Sequence, residues 1–529
     1  MPRYIVYLVI AAGLLTGSVF ADSPKAKPES GWTTVNEYLD LVISGNYQSA
    51  EQYWLEEPRR RADRFGIEYI DIPLKIDCSS PIIRNPELAA GKTQMRAQGQ
   101  TSLDTDEFSR YLFEVPAGEE RLRHHYYTWT AGGYYWLTFA QDYFSRNWPV
   151  TQTKYFRVHY HPDMERYLNP IVLEQVDRFV EDIGHAIGLS GKDLELIERE
   201  KVDYFYCHND GMVRDMTGHS IKGTYDLASD DIISAFFPHY HEITHFLINL
   251  KLRRQHMYIL PIMREGAAVL YGGRWGKAPT SLLTLGGNIY RQEVLDLDSI
   301  LTMAGFEASA GADLAYPVAG LFAGFVIENK GSKSYLELYR QLSGGFGELA
   351  EMTADDVRAI MIEKLGARDW GELRTRFDEY IDGWLRTSAG LYPGEFEQAE
   401  TILQTDGLLV GKHEDWITVT ATFAKDSLPT GNLLFGYDST LASGSSSLFD
   451  QQYRFGEQFE GYRYGVRFDR AEAGVYDYAT NTLVAKYISG MAPSDDYYSE
   501  TDNKVTLKFK ADVVGGKLPS ESDFKLLRN

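Results

Sequence analysis

The sequence predicts a multidomain α+β protein, with a mostly helical central region between a small N-terminal α+β region and a C-terminal β-sandwich. Three observations predict it. At 529 residues the chain exceeds one ordinary core and suggests about two to four domains. Apolar residues recur at helical spacing through much of residues 169–387, then alternate at strand spacing in the last hundred or so. A 44% apolar and 24% charged composition fits a folded chain.

The first segment reads as a leader. Arg3 supplies a short positive region, Ile5 to Phe20 form an apolar run, and Val19 and Ala21 suit a cleavage site, so residues 1–21 are expected to be removed as a signal peptide. An uncleaved anchor is the alternative, since the run approaches spanning length. Later stretches fall short of the roughly eighteen apolar residues that a membrane helix needs. The expectation is a secreted or periplasmic protein with no stable membrane insertion after cleavage. A formal charge of −22 without a basic cluster argues against nucleic-acid partners. Oligomeric state is not legible. Cys78 and Cys207 fit no metal or redox spacing, and they either pair or stay as buried thiols.

Residues 32–150 read as the N-terminal α+β domain. Val35 to Trp54 has helical spacing broken at Gly45-Asn46, while Tyr111 to Val115 and His125 to Phe139 look like aromatic-rich strands with a Gly132-Gly133 turn. Residues 151–390 form the central domain, from the strand-like Tyr155 to Tyr160 to the amphipathic stretch Asp355 to Thr387. Composition shifts near Leu391 to Gly394. Residues 395–529 then carry strand patterns at Trp416 to Phe423, Tyr462 to Phe468, Gly474 to Ile488 and Lys504 to Lys510, with expected turns at Gly431-Asn432, Ser443 to Ser447 and Asn481-Thr482.

The chemistry-bearing segment is Pro238-His-Tyr-His-Glu-Ile-Thr-His-Phe-Leu. On a helix, residues four apart share a face, so His241 and His245 present two imidazoles one turn apart, as a tetrahedral zinc ion requires. Glu242 follows the first ligand and would reach a water without joining the metal. Pro238 suits a first helical turn. A third His six residues after His245 is missing, since Lys251 stands there. A carboxylate from a second helix is the other solution. Glu265 lies 19 residues beyond His245 among apolar and small residues, with Gly266, Ala267 and Ala268 permitting close helix approach. Most glutamates are surface residues; this one reads as a ligand.

His241-Glu-Ile-Thr-His245 followed by Arg264-Glu-Gly-Ala-Ala268 resembles the MA-like gluzincin zinc metallopeptidases, with the likeness running from about residue 155 to 386. The resemblance implies a zincin-like domain, a zinc cofactor held by His241, His245 and Glu265, and Glu242 as general base in hydrolysis of a peptide or protein substrate. It also implies that Tyr316, opening a later helix, donates a hydrogen bond to the oxyanion. No aminopeptidase-type recognition segment occurs, which favours endopeptidase action. Val269 stands where some members carry a carboxylate supporting a zinc histidine, leaving Asp230 and Asp231 as neighbours in sequence. As ordinary residues, Ser229, Asp230 and Asp231 would cap a helical turn, and His239 would start the helix or line the cleft. His219 would sit in a solvated loop, and His124 and His125 would face opposite sides of a strand. The rival expectations are a catalytically silent binding protein on the same scaffold and a surface protein acting through its flanking domains.

Overall fold

The computed structural model describes residues 30–528 except 91–94, 104–106, 118–119, 310–312, 388–399, 406, 423–430, 438–461, 469–471, 480–481, 489–497, 502–503 and 517–524. The expected leader 1–21, the composition shift at Leu391 to Gly394 and the expected turn Ser443 to Ser447 lie outside the described residues. The protein is mixed α+β with several separate sheets. No helix among the described residues is long and apolar enough to cross a membrane.

The chain opens on α1 (Gly31–Ile43), whose N-terminus is capped by the Ser30 hydroxyl accepting the Thr33 N–H. Gly45 at φ +76° and the Asn46 side chain, which caps α2 (Tyr47–Glu51), make the expected break. After α3 (Glu56–Asp63) come four antiparallel strands, β1 (Gly99–Ser102), β2 (Phe108–Ala117), β3 (Glu120–Ala131) and β4 (Tyr134–Thr138). Gly132 and Gly133 both take positive φ, which lets the β3–β4 hairpin turn tightly.

The central sheet is mixed. Its strands are β5 (Val150–Gln152), β6 (Phe156–Tyr160), β7 (Val202–Tyr206), β8 (Gly223–Asp226) and β9 (Asp231–Ser234), in the order β5-β6-β7-β9-β8. β6, β7 and β9 run parallel, and β5 and β8 are antiparallel edges. β7 is buried on both faces, as an interior parallel strand should be. Helices α4 (Pro170–Ala186) and α5 (Gly191–Glu200) join β6 to β7. Beyond the sheet lie α6 (Tyr240–Leu252), α7 (Pro261–Gly272), α8 (Pro279–Arg291), α9 (Ala315–Gln341, interrupted at Gly331), α10 (Ala354–Leu365) and α11 (Trp370–Thr387).

One apolar core runs from Val35 to Ile381, so the expected boundary near residue 150 falls inside a continuous core. Phe65 packs edge-on against Phe246 of α6 at 4.9 Å, and Glu68–Tyr69 pairs in parallel with Arg254–Gln255 just past that helix. Cys78 and Cys207 are free and buried in separate clusters.

A buried ion network ties the N-terminal segment to the central sheet. Arg64 bonds Asp203 and Asp231 at 2.5 Å each, Arg61 bonds Asp142 at 2.8 Å, and Lys75 reaches Asp230 at 2.7 Å. Asp230 and Asp231 are therefore not helix caps: Asp231 opens β9, and both carboxylates face cations from a distant part of the chain. Burial alone would raise the Asp203 carboxyl, but hydrogen bonds from Arg157 and His159 and the charges of Arg64 and Arg61 hold it well below the usual range.

In the C-terminal region two five-stranded antiparallel sheets share one core. The first orders β10 (Glu400–Thr405), β11 (Leu408–His413), β12 (Trp416–Thr422), β18 (Lys504–Lys510) and β17 (Tyr498–Thr501). The second orders β16 (Thr482–Ile488), β15 (Glu472–Asp477), β14 (Tyr462–Phe468), β13 (Gly431–Tyr437) and β19 (Lys525–Arg528). Val410, Val419 and Leu507 of one meet Leu433, Val466 and Val475 of the other, as in a sandwich. Gly431-Asn432 is not a turn. It opens β13, held in the ladder by Arg467 and Phe468 on one side and Leu527 and Arg528 on the other. Ser281 of α8 bonds the Val484 carbonyl at 2.9 Å, and Asn169 bonds that of Ala479 at 3.2 Å.

Arg64→Met should lower stability by about 3–5 kcal/mol at neutral pH, because Asp203 and Asp231 lose a buried partner. Since the Asp203 pKa is depressed in the folded state, its contribution is full above the unfolded value of about 3.9 and is lost as pH falls through the folded one. Urea denaturation of both proteins at neutral and acid pH checks this, and the gap should narrow in acid.

Candidate metal centre

The helix bearing the histidines starts later than its sequence suggests. Pro238 precedes it and His239 stands at the N-cap, with its N–H bonded to the Tyr204 hydroxyl at 3.0 Å and its Nδ1 beside the Ser234 hydroxyl at 2.9 Å. These bonds hold residue 239 outside the helical conformation. From Tyr240 onward the spacing acts as expected. The His241 and His245 rings lie 4.9 Å apart on one face of α6, while Ile243, Phe246, Leu247 and Leu250 are buried.

Helix α7 reaches this face because its glycines allow it. A Cβ on Gly266 would meet the Ala319 carbonyl of α9 at 2.5 Å, and one on Gly272 would meet the backbone of Tyr240 and His241 at 2.5 Å. Pro261 occupies the first turn, where a missing N–H loses no bond. One turn later, Glu265 points its carboxylate at both imidazoles. Its Oε2 lies 3.1 Å from His241 Nε2 and 3.6 Å from His245 Nε2. All three side chains are buried, at 2%, 6% and 8% exposure for His241, His245 and Glu265.

The donor set fits a zinc ion. Tetrahedral bonds of about 2.0–2.1 Å put neighbouring ligand atoms roughly 3.4 Å apart, close to both separations. Two neutral imidazoles and one carboxylate are needed at such an ion. Burial lowers the His245 pKa despite the opposing carboxylate. Burial would raise the Glu265 carboxyl, but the neighbouring His245 and Arg264 outweigh it and hold it well below the usual range. His241 Nδ1 lies 2.9 Å from the Gly273 carbonyl, which assigns the proton to Nδ1 and leaves Nε2 free for a metal.

Glu242 stands apart from this triad. Its Oε2 accepts the Tyr225 N–H of edge strand β8 at 2.9 Å, and burial raises its pKa. Tyr316, at the start of α9, is half-buried with its ring 6.3 Å from that of His241. The Arg274 guanidinium lies 3.4 Å over the Tyr316 ring. No known family model, curated protein or solved structure matches this chain.

Asp230 and Asp231 do not support the histidines; their carboxylates are taken up by Lys75 and Arg64. His219 is exposed in a loop, and His124 pairs with Asp77 at 3.3 Å on the β3 strand. The Gly273 carbonyl, the Tyr225 amide and Arg274 were not legible as site groups. The Gly272-Gly273 pair signals a helix end, but no residue type encodes which carbonyl a histidine will meet.

Gly272→Ala should push α6 and α7 apart, lower stability by about 1–3 kcal/mol and weaken metal binding. Thermal denaturation with and without zinc checks both effects, and the variant should gain less from added metal than the parent.

Proposed function

We propose that this chain is an exported zinc-dependent peptidase, most consistent with an endopeptidase, built on a zincin-like domain over about residues 151–390. The observation that carries the proposal is the convergence of His241, His245 and Glu265 from two helices, with Glu242 half-buried beside them yet outside the ligand set. A zinc ion held there would activate a water and polarise a scissile carbonyl. The rest of the reaction falls to the chain's own side chains.

Glu242 is held by the Tyr225 N–H in the orientation of a proton acceptor. Its burial-raised pKa makes it a better base than an ordinary glutamate, and the same carboxyl can return the proton to the leaving amine. Tyr316 has its hydroxyl pushed up to about 12 by burial, with Glu265 adding to the shift, so it stays protonated at neutral pH. It is thus fitted to donate to a developing oxyanion. The central sheet ends on β8, whose outer edge no other strand covers among the described residues. An extended peptide laid along such an edge would lie beside Glu242. That arrangement favours cleavage within a chain. Export follows from the leader-like composition of residues 1–21.

Glu242→Gln should keep its zinc and lose about 10²–10⁴-fold or more in kcat/KM on a peptide library, whereas His245→Ala should lose the metal. Metal analysis alongside the library assay tests both; full activity in Glu242→Gln would overturn the mechanism.

A further inference from the structure

A second convergence of ligand types lies away from the α6–α7 site. The parallel neighbours β6 and β7 are in register at Tyr160 and Tyr206, and the chain leaving each carries a histidine. His161 donates its N–H to the Tyr206 carbonyl at 3.0 Å, which keeps the two exits side by side, and the His161 and His208 rings sit 5.2 Å apart. Pro162 then starts a short 3₁₀ helix (Pro162–Tyr167) that turns Asp163 back between them. The Asp163 Oδ2 lies 3.6 Å from His161 Nδ1 and 3.5 Å from His208 Nδ1. Three ligand atoms therefore fall within 4.8 Å of one another.

We propose that His161, Asp163 and His208 form a second binding site for a divalent ion of the zinc class. Both measured separations match the edge of roughly 3.4 Å expected for a tetrahedral set with bonds of about 2.0–2.1 Å. Two imidazoles and one carboxylate select zinc, nickel or copper over calcium and magnesium, which prefer all-oxygen shells. No lysine or arginine among the described residues pairs with the Asp163 carboxylate, whose ion-pairing partners there are the two rings. The His161 ring is steadied by Trp148, packed edge-on at 5.9 Å. An ion on His161 Nδ1 would displace one long contact, the 3.4 Å bond from the Asp163 N–H. Side-chain exposures of 26%, 66% and 45% for His161, Asp163 and His208 leave the site open to solvent, with room for a water as fourth ligand. Such a site exchanges its metal more readily than the buried triad and is independent of whether the protein is a peptidase.

The test is the zinc stoichiometry of the chelator-stripped full-length chain, titrated against a chromophoric zinc chelator. His208→Ala and Asp163→Asn, both at exposed positions, should each bind one zinc fewer per chain than the parent, with unchanged circular dichroism. His245→Ala should lose a different zinc, so that His208→Ala combined with it loses two. Excess calcium or magnesium should not displace the ion. An unchanged zinc count in both surface variants would overturn this site while leaving the triad standing. Loss of the ion to millimolar calcium would overturn its assignment to the zinc class.

Discussion

The approach of α7 to the first turn of α6 is the constraint on which the candidate metal centre depends. At Gly272 the two backbones come so close that a single methyl group would sit 2.5 Å from Tyr240 and His241. That approach brings Glu265, two turns earlier on α7, level with the imidazoles of α6. It also delivers the Gly273 carbonyl to His241 Nδ1. A second close contact, Gly266 against the Ala319 carbonyl, sets α9 behind α7 and so places Tyr316 at the same opening. Helix packing at glycine thus stands in for any dedicated support. With Val269 where a carboxylate could have stood, a backbone carbonyl orients the first histidine.

The back of α6 is fixed by a different kind of interaction. Arg61, Arg64 and Lys75, all from the N-terminal segment, neutralise Asp142, Asp203, Asp230 and Asp231 beneath the central sheet. Burying so many charges brings little net stability over an apolar core, but removing any one leaves its partner stranded. The network therefore acts as a lock on register. Tyr225 extends it toward the site: its hydroxyl bonds Asp230 at 2.5 Å while its backbone N–H holds Glu242. A line of hydrogen bonds runs from Lys75 through Asp230 and Tyr225 to the Glu242 carboxylate beside the proposed metal ligands. Buried residues from Val35 to Phe139 lie in the same apolar core as the region bearing the site.

What could be read from sequence was what depends on local spacing. The four-residue interval of His241 and His245, the apolar surroundings of Glu265, the Gly45-Asn46 break and the Gly132-Gly133 turn all rest on short-range geometry, and the structure forms each as read. What stayed hidden depends on partners far apart along the chain. Arg64 and Asp231 are 167 residues apart, and nothing near either announces the other. Asp230 and Asp231 looked like caps because a carboxylate before a helix is usually one. Gly431-Asn432 looked like a turn because its partners in the ladder, Arg467 and Phe468 on one side and Leu527 and Arg528 on the other, could not be seen from the dipeptide. The His161, Asp163 and His208 cluster was invisible for the same reason: only the β6–β7 register brings its two halves together.

Adjacent residues in one turn link the two chemical tasks of the proposed site. Gly273, at φ +70°, aims its carbonyl at His241, and Arg274 lays its guanidinium over the Tyr316 ring. The conformation that orients His241, a proposed metal ligand, therefore also packs the proposed oxyanion donor. The stacking has an electrostatic side as well. Burial raises the Tyr316 hydroxyl and Glu265 adds to that, while Arg274 and Arg264 pull the other way. In a chain whose net charge is −22, Arg264, 3.2 Å from the Glu265 carboxylate, and Arg274, over the Tyr316 ring, set two cations at the proposed site. A peptide carbonyl developing negative charge would meet that environment, with Tyr316 held in it by the same turn that holds His241.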